Sequence, residues 1–171
     1  ELYNGPTLSS TITSSTSLSA GSYNWSIPST QTFGSNYTIK ITSTTTGTIS
    51  DTSDAPFTIT GPSITVTTPN GGETLVRGGV VPITWSYTGN PGANVKIQIY
   101  KGIFLSRTIT LSTPLSGGTY NWTIPSTQSA GSTYKVKVTS TTNSTISDTS
   151  NGTFTIAKPS ITVISPNGGE T

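Results

Sequence analysis

The chain has 171 residues, a formal net charge of +2, only 8% charged side chains, and neither cysteine nor histidine. Those absences exclude a disulfide framework, thiolate or imidazole metal sites, the cysteine nucleophile and the commonest general base. Eight scattered Lys and Arg residues argue against a nucleic-acid partner, and no apolar run reaches the 18 residues that would read as a membrane span.

What remains is hydroxyl-rich: 37 Thr and 27 Ser, a composition that favours strands over helices. An internal repeat organises the chain from its first residue. A shift of 97 positions lays residues 1–74 on 98–171 without a gap and with 48 identities. SYNWSIPSTQTFGSNYTIKITSTTTGTISDTS (22–53) falls on TYNWTIPSTQSAGSTYKVKVTSTTNSTISDTS (119–150). Pro-Ser at 62–63 and 159–160 marks the seam. In this frame residues 1–62 are the carboxy-terminal part of one repeat, 63–159 a complete repeat, and 160–171 the first strand of the next. The expectation is a window cut from a continuous array. Residues 1–62 lack counterparts of 63–97 and are expected not to close a sandwich by themselves.

Within the complete repeat, alternation of apolar and polar residues predicts seven strands. Ile64 and Val66 alternate with Thr65 and Thr67; Ile83, Trp85 and Tyr87 with Thr84 and Ser86; Val95, Ile97 and Ile99 with Lys96, Gln98 and Tyr100. A fourth segment covers Leu105–Leu111. Tyr120, Trp122 and Ile124 then alternate with Asn121 and Thr123, Tyr134, Val136 and Val138 with Lys135, Lys137 and Thr139, and Phe154 and Ile156 with Thr153 and Thr155. Asn70-Gly71-Gly72, Gly89-Asn90-Pro91-Gly92 and Gly117-Gly118 supply turns. The fold class is all-β: tandem immunoglobulin-like or fibronectin type III-like sandwiches, about seven strands per repeat, with no disulfide. Tyr134 and its repeat mate Tyr37 stand where a tyrosine corner belongs.

The segments SITVTTPNGGET, VPITWSYTG, NVKIQIYKG, GTYNWTIPS, YKVKVTSTT and ISDTSNGTFTI resemble, in order, the Ser/Thr-rich, GPI-anchored-membrane-type immunoglobulin-like domain. That family includes the amino-terminal domain of yeast cell-wall glucan synthesis proteins and recurs in large bacterial and archaeal surface proteins. The resemblance implies an extracellular β-sandwich module and no catalytic residues.

The inventory for chemistry is short. The acids are Glu1, Asp51, Asp54, Glu73, Asp148 and Glu170, which leaves about two turn carboxylates per repeat and no general base beside them. Asp51-Thr-Ser-Asp54 reads as an Asx-turn rather than a calcium loop, because the mate of Asp54 is Asn151 and calcium needs six to eight oxygens. Lys40, Lys96, Lys135 and Lys137 alternate outward, which removes the buried lysine an isopeptide cross-link requires. Trp25 and Trp122 share the face of Ile27 and Ile124, so core packing is favoured over sugar stacking. Asn24, Asn36, Asn121, Asn143 and Asn151 each open an N-x-Ser/Thr sequon. Asn24 and Asn121 are the leading candidates, as repeat mates expected on the outward side of a strand. The Thr/Ser runs at 42–46 and 139–145 suit O-linked sugar.

The reading is therefore a structural extracellular module without enzymatic activity, cofactor or metal. It is a segment of a tandem-repeat stalk, fibre or surface layer at the cell surface or in a secreted fibre, decorated with covalent glycans. Its partners are neighbouring repeats of the same or another copy, with strand donation through 160–171. The alternatives are an adhesin or carbohydrate-binding module, or accessory repeats of a larger extracellular enzyme.

Overall fold

The computed structural model describes residues 1–165 and 167–169. The chain divides into two units, Glu1–Gly61 and Pro62–Thr171.

Unit 1 is built on a single antiparallel sheet. Strands β1 (Leu2–Asn4), β2 (Thr7–Ser10), β3 (Gly34–Thr42) and β4 (Ser50–Thr52) lie in the order β2-β1-β3-β4, and β5 (Phe57–Ile59) pairs with the other end of β3. One face carries a small core of Leu2, Tyr37 and Ile59, with Ile12, Trp25, Ile39 and Phe57 packed against it. No second sheet covers that face among the described residues of the unit. Residues 22–26, whose sequence alternates like a strand, are not assigned to one. Their partner strand would come from counterparts of residues 80–88, which this unit does not contain.

Unit 2 has both layers. Its strands are β6 (Ser63–Thr68), β7 (Thr74–Val76), β8 (Val80–Thr88), β9 (Asn94–Lys101), β10 (Phe104–Pro114), β11 (Thr119–Thr123), β12 (Gly131–Ser140), β13 (Ser147–Thr149) and β14 (Phe154–Ala157). One sheet runs β10-β9-β12-β14-β7, with β13 also on β12; the other runs β11-β8-β6. All pairs are antiparallel except β14 with β7. The alternation of the sequence sends Ile64, Val66, Ile83, Trp85 and Trp122 from one sheet, and Val95, Ile97, Ile99, Tyr134, Val136, Val138, Phe154 and Ile156 from the other, into one core. Burying such side chains is worth about 1.5–3 kcal/mol each before entropy is counted, and that gain holds the two sheets face to face.

All seven expected strands are present. Two further strands, β7 and β13, are three residues long, too short to show a period. The described residues of 160–171 carry no strand, and Ile161, Val163 and Ile164 are exposed. Glu170 lies outside the described residues.

Candidate functional site

A corner of conserved geometry recurs in both units. The Tyr134 hydroxyl donates to the Ser129 carbonyl at 2.6 Å and accepts from Gln128 Nε2 at 3.2 Å. The Tyr37 hydroxyl donates to the Thr32 carbonyl at 2.7 Å and accepts from Gln31 Nε2 at 3.1 Å. These are the expected tyrosine corners: each phenol bonds the backbone five residues upstream. Gln128 is itself buried, donating also to Ser106 Oγ at 2.9 Å and accepting from Arg107 Nε at 3.2 Å. Its importance was missed by the sequence reading, although the shared PSTQ at 28–31 and 125–128 carried the signal. The corner is structural: the Tyr134 hydroxyl holds strand β12 to the preceding loop, and Gln128 ties that loop to β10.

Two of the acids, Glu73 and Asp148, are equally committed. Burial raises the Glu73 carboxyl, but the backbone N–H groups of Asn70, Glu73 itself and Gly71 outweigh it, and the group rests below the ordinary carboxylate range. Its oxygens accept from Asn70 N at 2.6 Å and Gly71 N at 2.8 Å. The turn so closed presents Asn70 Oδ1 to the Asn151 amide at 2.7 Å. Gly71 holds φ at +137°, and a Cβ there would sit 2.8 Å from the Cα of Gly152, so only glycine allows this approach. Asp148 corrects the expectation of a turn acid: it lies in β13, and its Oδ2 accepts the Val66 amide of β6 at 2.7 Å. A residue 82 positions away thereby ties the edges of the two sheets. Its mate Asp51 lies in β4 and is exposed. Among the described residues no group of three or more acidic side chains is placed to hold a metal ion.

Trp122 is 4% exposed, and Trp85 is equally buried, with Nε1 donating to the Leu115 carbonyl at 3.0 Å. Both are core residues rather than sugar platforms. Trp25 is half-buried and lines, with Tyr23 and Asn24, a depression of about 480 Å³ in unit 1.

All five sequon asparagines are exposed. Asn121 sits on β11 between the inward Tyr120 and Trp122 and faces out. Asn24 is exposed too, but not on a strand as expected. Asn36 lies on the outward side of β3. Asn143 Oδ1 accepts from both the amide and the hydroxyl of Thr145, at 3.1 and 2.7 Å, an Asx-turn inside the sequon. The carbonyl of Asn151 accepts from Lys135 Nζ at 3.0 Å. Of the run 139–145, Thr139 and Ser140 are buried, with the Ser140 hydroxyl donating to the Pro91 carbonyl; only 141–145 is open to modification.

Lys96, Lys135 and Lys137 are outward-facing, as expected. What the sequence does not show is that strand pairing brings them together. Lys135 stands opposite Tyr100, Lys137 opposite Gln98, and Thr139 opposite Lys96.

Two packed sheets, a tyrosine corner and polar groups spent on the framework define an immunoglobulin-like structural module. The Kre9/KNH-like N-terminal Ig-like domain matches residues 68–156, more than half of the chain, and the chain belongs to that family. The family is a structural type of domain found in cell-wall and secreted proteins and is not a known enzyme family, which makes this a surface-associated module. Neither the curated proteins nor the solved structures provide a match. Among the described residues no helix is long and apolar enough to cross a membrane.

Proposed function

We propose that the chain is a segment of a tandem array of immunoglobulin-like sandwiches with a mechanical role outside the cell, as a stalk, fibre or surface layer. The observation that carries this reading is the recurrence, 97 residues apart, of one hydrogen-bonded constellation: Gln31 and Tyr37 in unit 1, Gln128 and Tyr134 in unit 2. Repetition of a non-catalytic framework favours a part that is used serially. The uncovered face of unit 1 supports the same view. Its exposed Ile27 and Ile41 are mates of Ile124 and Val138, which are fully buried in unit 2. Residues with the pattern of 63–97, from a neighbouring repeat of the same or another copy, complete that unit. Covalent glycans occupy the outward sequons, with Asn121 and Asn143 the best presented.

Chains carrying three complete repeats test the mechanical part by small-angle scattering. An extended rod with one repeat every 35–45 Å or so is expected from strand length plus loops, and a freely jointed string overturns it. Mass spectrometry of protein from its native source tests the glycan part: unmodified peptides covering both 119–125 and 140–146 refute it.

A further inference from the structure

The outward face of the β9–β12 pair carries charge that the framework does not use. Residues 62–171 hold seven Lys and Arg against three acids, a net charge of +4, whereas residues 1–61 hold one Lys against three acids, a net charge of −2. Three of the seven cations, Lys96, Lys135 and Lys137, project from the same side of the sheet. Lys135 and Lys137 are about 6.6 Å apart along β12, and Lys96 is diagonal to Lys137 at roughly 7–8 Å. Neither described carboxylate of the unit is available to them: Glu73 is turned to Asn70 and Gly71, and Asp148 to Val66. Lys96 and Lys137 have no hydrogen-bond or ion-pair partner among the described residues, and Lys135 has only the Asn151 carbonyl.

The face also has relief and hydrogen-bonding chemistry. Tyr100, Gly102, Lys135, Lys137 and Thr149 line a shallow depression of about 260 Å³. Gln98 is held in place beside it by its bond to Thr108 Oγ1 at 3.2 Å. A tyrosine ring flanked by two ammonium groups, an amide and a hydroxyl offers stacking for a pyranose ring, bonds for its hydroxyls and charge for an acidic substituent. Unit 1 keeps Tyr3, Gly5, Lys40 and Thr52 at the positions of Tyr100, Gly102, Lys137 and Thr149, but the mates of Gln98 and Lys135 are Glu1 and Thr38, so it lacks the pair of lysines on β12 and carries an acid at the position of Gln98.

We infer that this face of unit 2 binds an acidic polysaccharide, a sugar polymer bearing carboxylate or sulfate groups. One aromatic in one depression suits a sugar chain; a single-stranded nucleic acid is gripped by successive stacked bases and a charged groove, which this face lacks. Three engaged cations give a log–log salt slope of roughly two, as for a single-stranded polyanion.

Affinity electrophoresis of the full chain through gels containing polygalacturonate, dextran sulfate or neutral dextran tests this. Retardation is expected in one or both acidic polymers, identifying the acid, and none in neutral dextran. The triple variant K96Q/K135Q/K137Q loses retardation, the corresponding arginine variant keeps it, and K40Q, which removes the Lys137 mate in unit 1, leaves it unchanged. Tyr100→Ala weakens binding to the sugar polymers while leaving the melting curve in place. The inference is overturned by retardation in neutral dextran equal to that in the acidic polymers, by the glutamine triple variant binding like the parent, or by K40Q weakening binding as much as the glutamine triple variant. It is also overturned by tighter binding to single-stranded DNA or to anionic vesicles than to either acidic polymer, or by Tyr100→Ala binding like the parent, which reduces the face to an ion exchanger.

Discussion

Residues 22–26 read SYNWS and residues 119–123 read TYNWT, yet only the second segment is a strand. The second pairs along its whole length with β8, Asn121 opposite Pro82 and Trp122 opposite Val81; the first has no such neighbour. Nearby, a short 3-10 turn forms in both units, at Leu18–Ala20 and Leu115–Gly117, each closed by a left-handed glycine, Gly21 at φ 64° and Gly118 at φ 61°. Leu18 on the first turn is 95% exposed while Leu115 on the second is 4% exposed. The turn is encoded locally by its glycine. The strand and the burial are supplied by the opposite sheet, because strand propensity expresses packing against neighbours more than a backbone preference.

Substitutions at repeat mates sharpen this contrast. The largest difference is expected at the tryptophans: Trp122→Ala costs about 3–5 kcal/mol, and Trp25→Ala, at a half-buried site, less than half of that. Denaturant unfolding followed separately for the two units measures both. Ile124→Ala follows at about 2–5 kcal/mol, whereas Ile27→Ala, at a side chain 52% exposed, stays within about 0.5 kcal/mol. Equal costs in the two units break the comparison.

Removing the tie between the sheets is next. Asp148→Ala takes the acceptor from the Val66 amide and costs about 1.5–3 kcal/mol, as for a bond to a charged group, while Asp51→Ala has almost no effect on unfolding. The tyrosine corners provide the internal control. Tyr134→Phe and Tyr37→Phe each cost about 1 kcal/mol, alike in both units, because this constellation needs no opposite sheet.

The smallest effect is electrostatic and belongs to unit 2. Glu73 has a folded-state pKa below its ordinary value of 4.5, so its contribution is complete above that value and is lost as pH falls below it. Denaturant midpoints measured from pH 7 down to pH 3 decline for the parent chain, and Glu73→Gln makes that decline shallower.

Much of unit 2 was legible in its residues. Alternation at Val95–Ile99 and Tyr134–Val138 gave the inward faces, and the Tyr37 and Tyr134 positions gave the corner. Asp148 was misplaced in a turn because a three-residue strand has too few side chains to show a period. Its partner is 82 residues distant, beyond any local pattern. Lys96 looked unrelated to Lys135 and Lys137 because only the pairing of β9 with β12 makes them neighbours. Thr139 and Ser140 looked like part of an open hydroxyl run, but the Ser140 side chain is used to fasten the Pro91 loop. Hydroxyl residues give no sequence signal that separates a solvated face from such a buried bond.

Amide hydrogen exchange at the two YNW segments tests the central claim that unit 1 is an uncovered half of a sandwich. In the chain as it stands, amides of 119–123 are expected to be strongly protected and those of 22–26 to exchange at close to the unprotected rate. Placing a copy of Pro62–Ile97 directly before Glu1 restores the missing strands in register, and protection at 22–26 is then expected to rise toward that of 119–123. Strong protection of 22–26 in the unextended monomer, or no gain after the addition, contradicts the account.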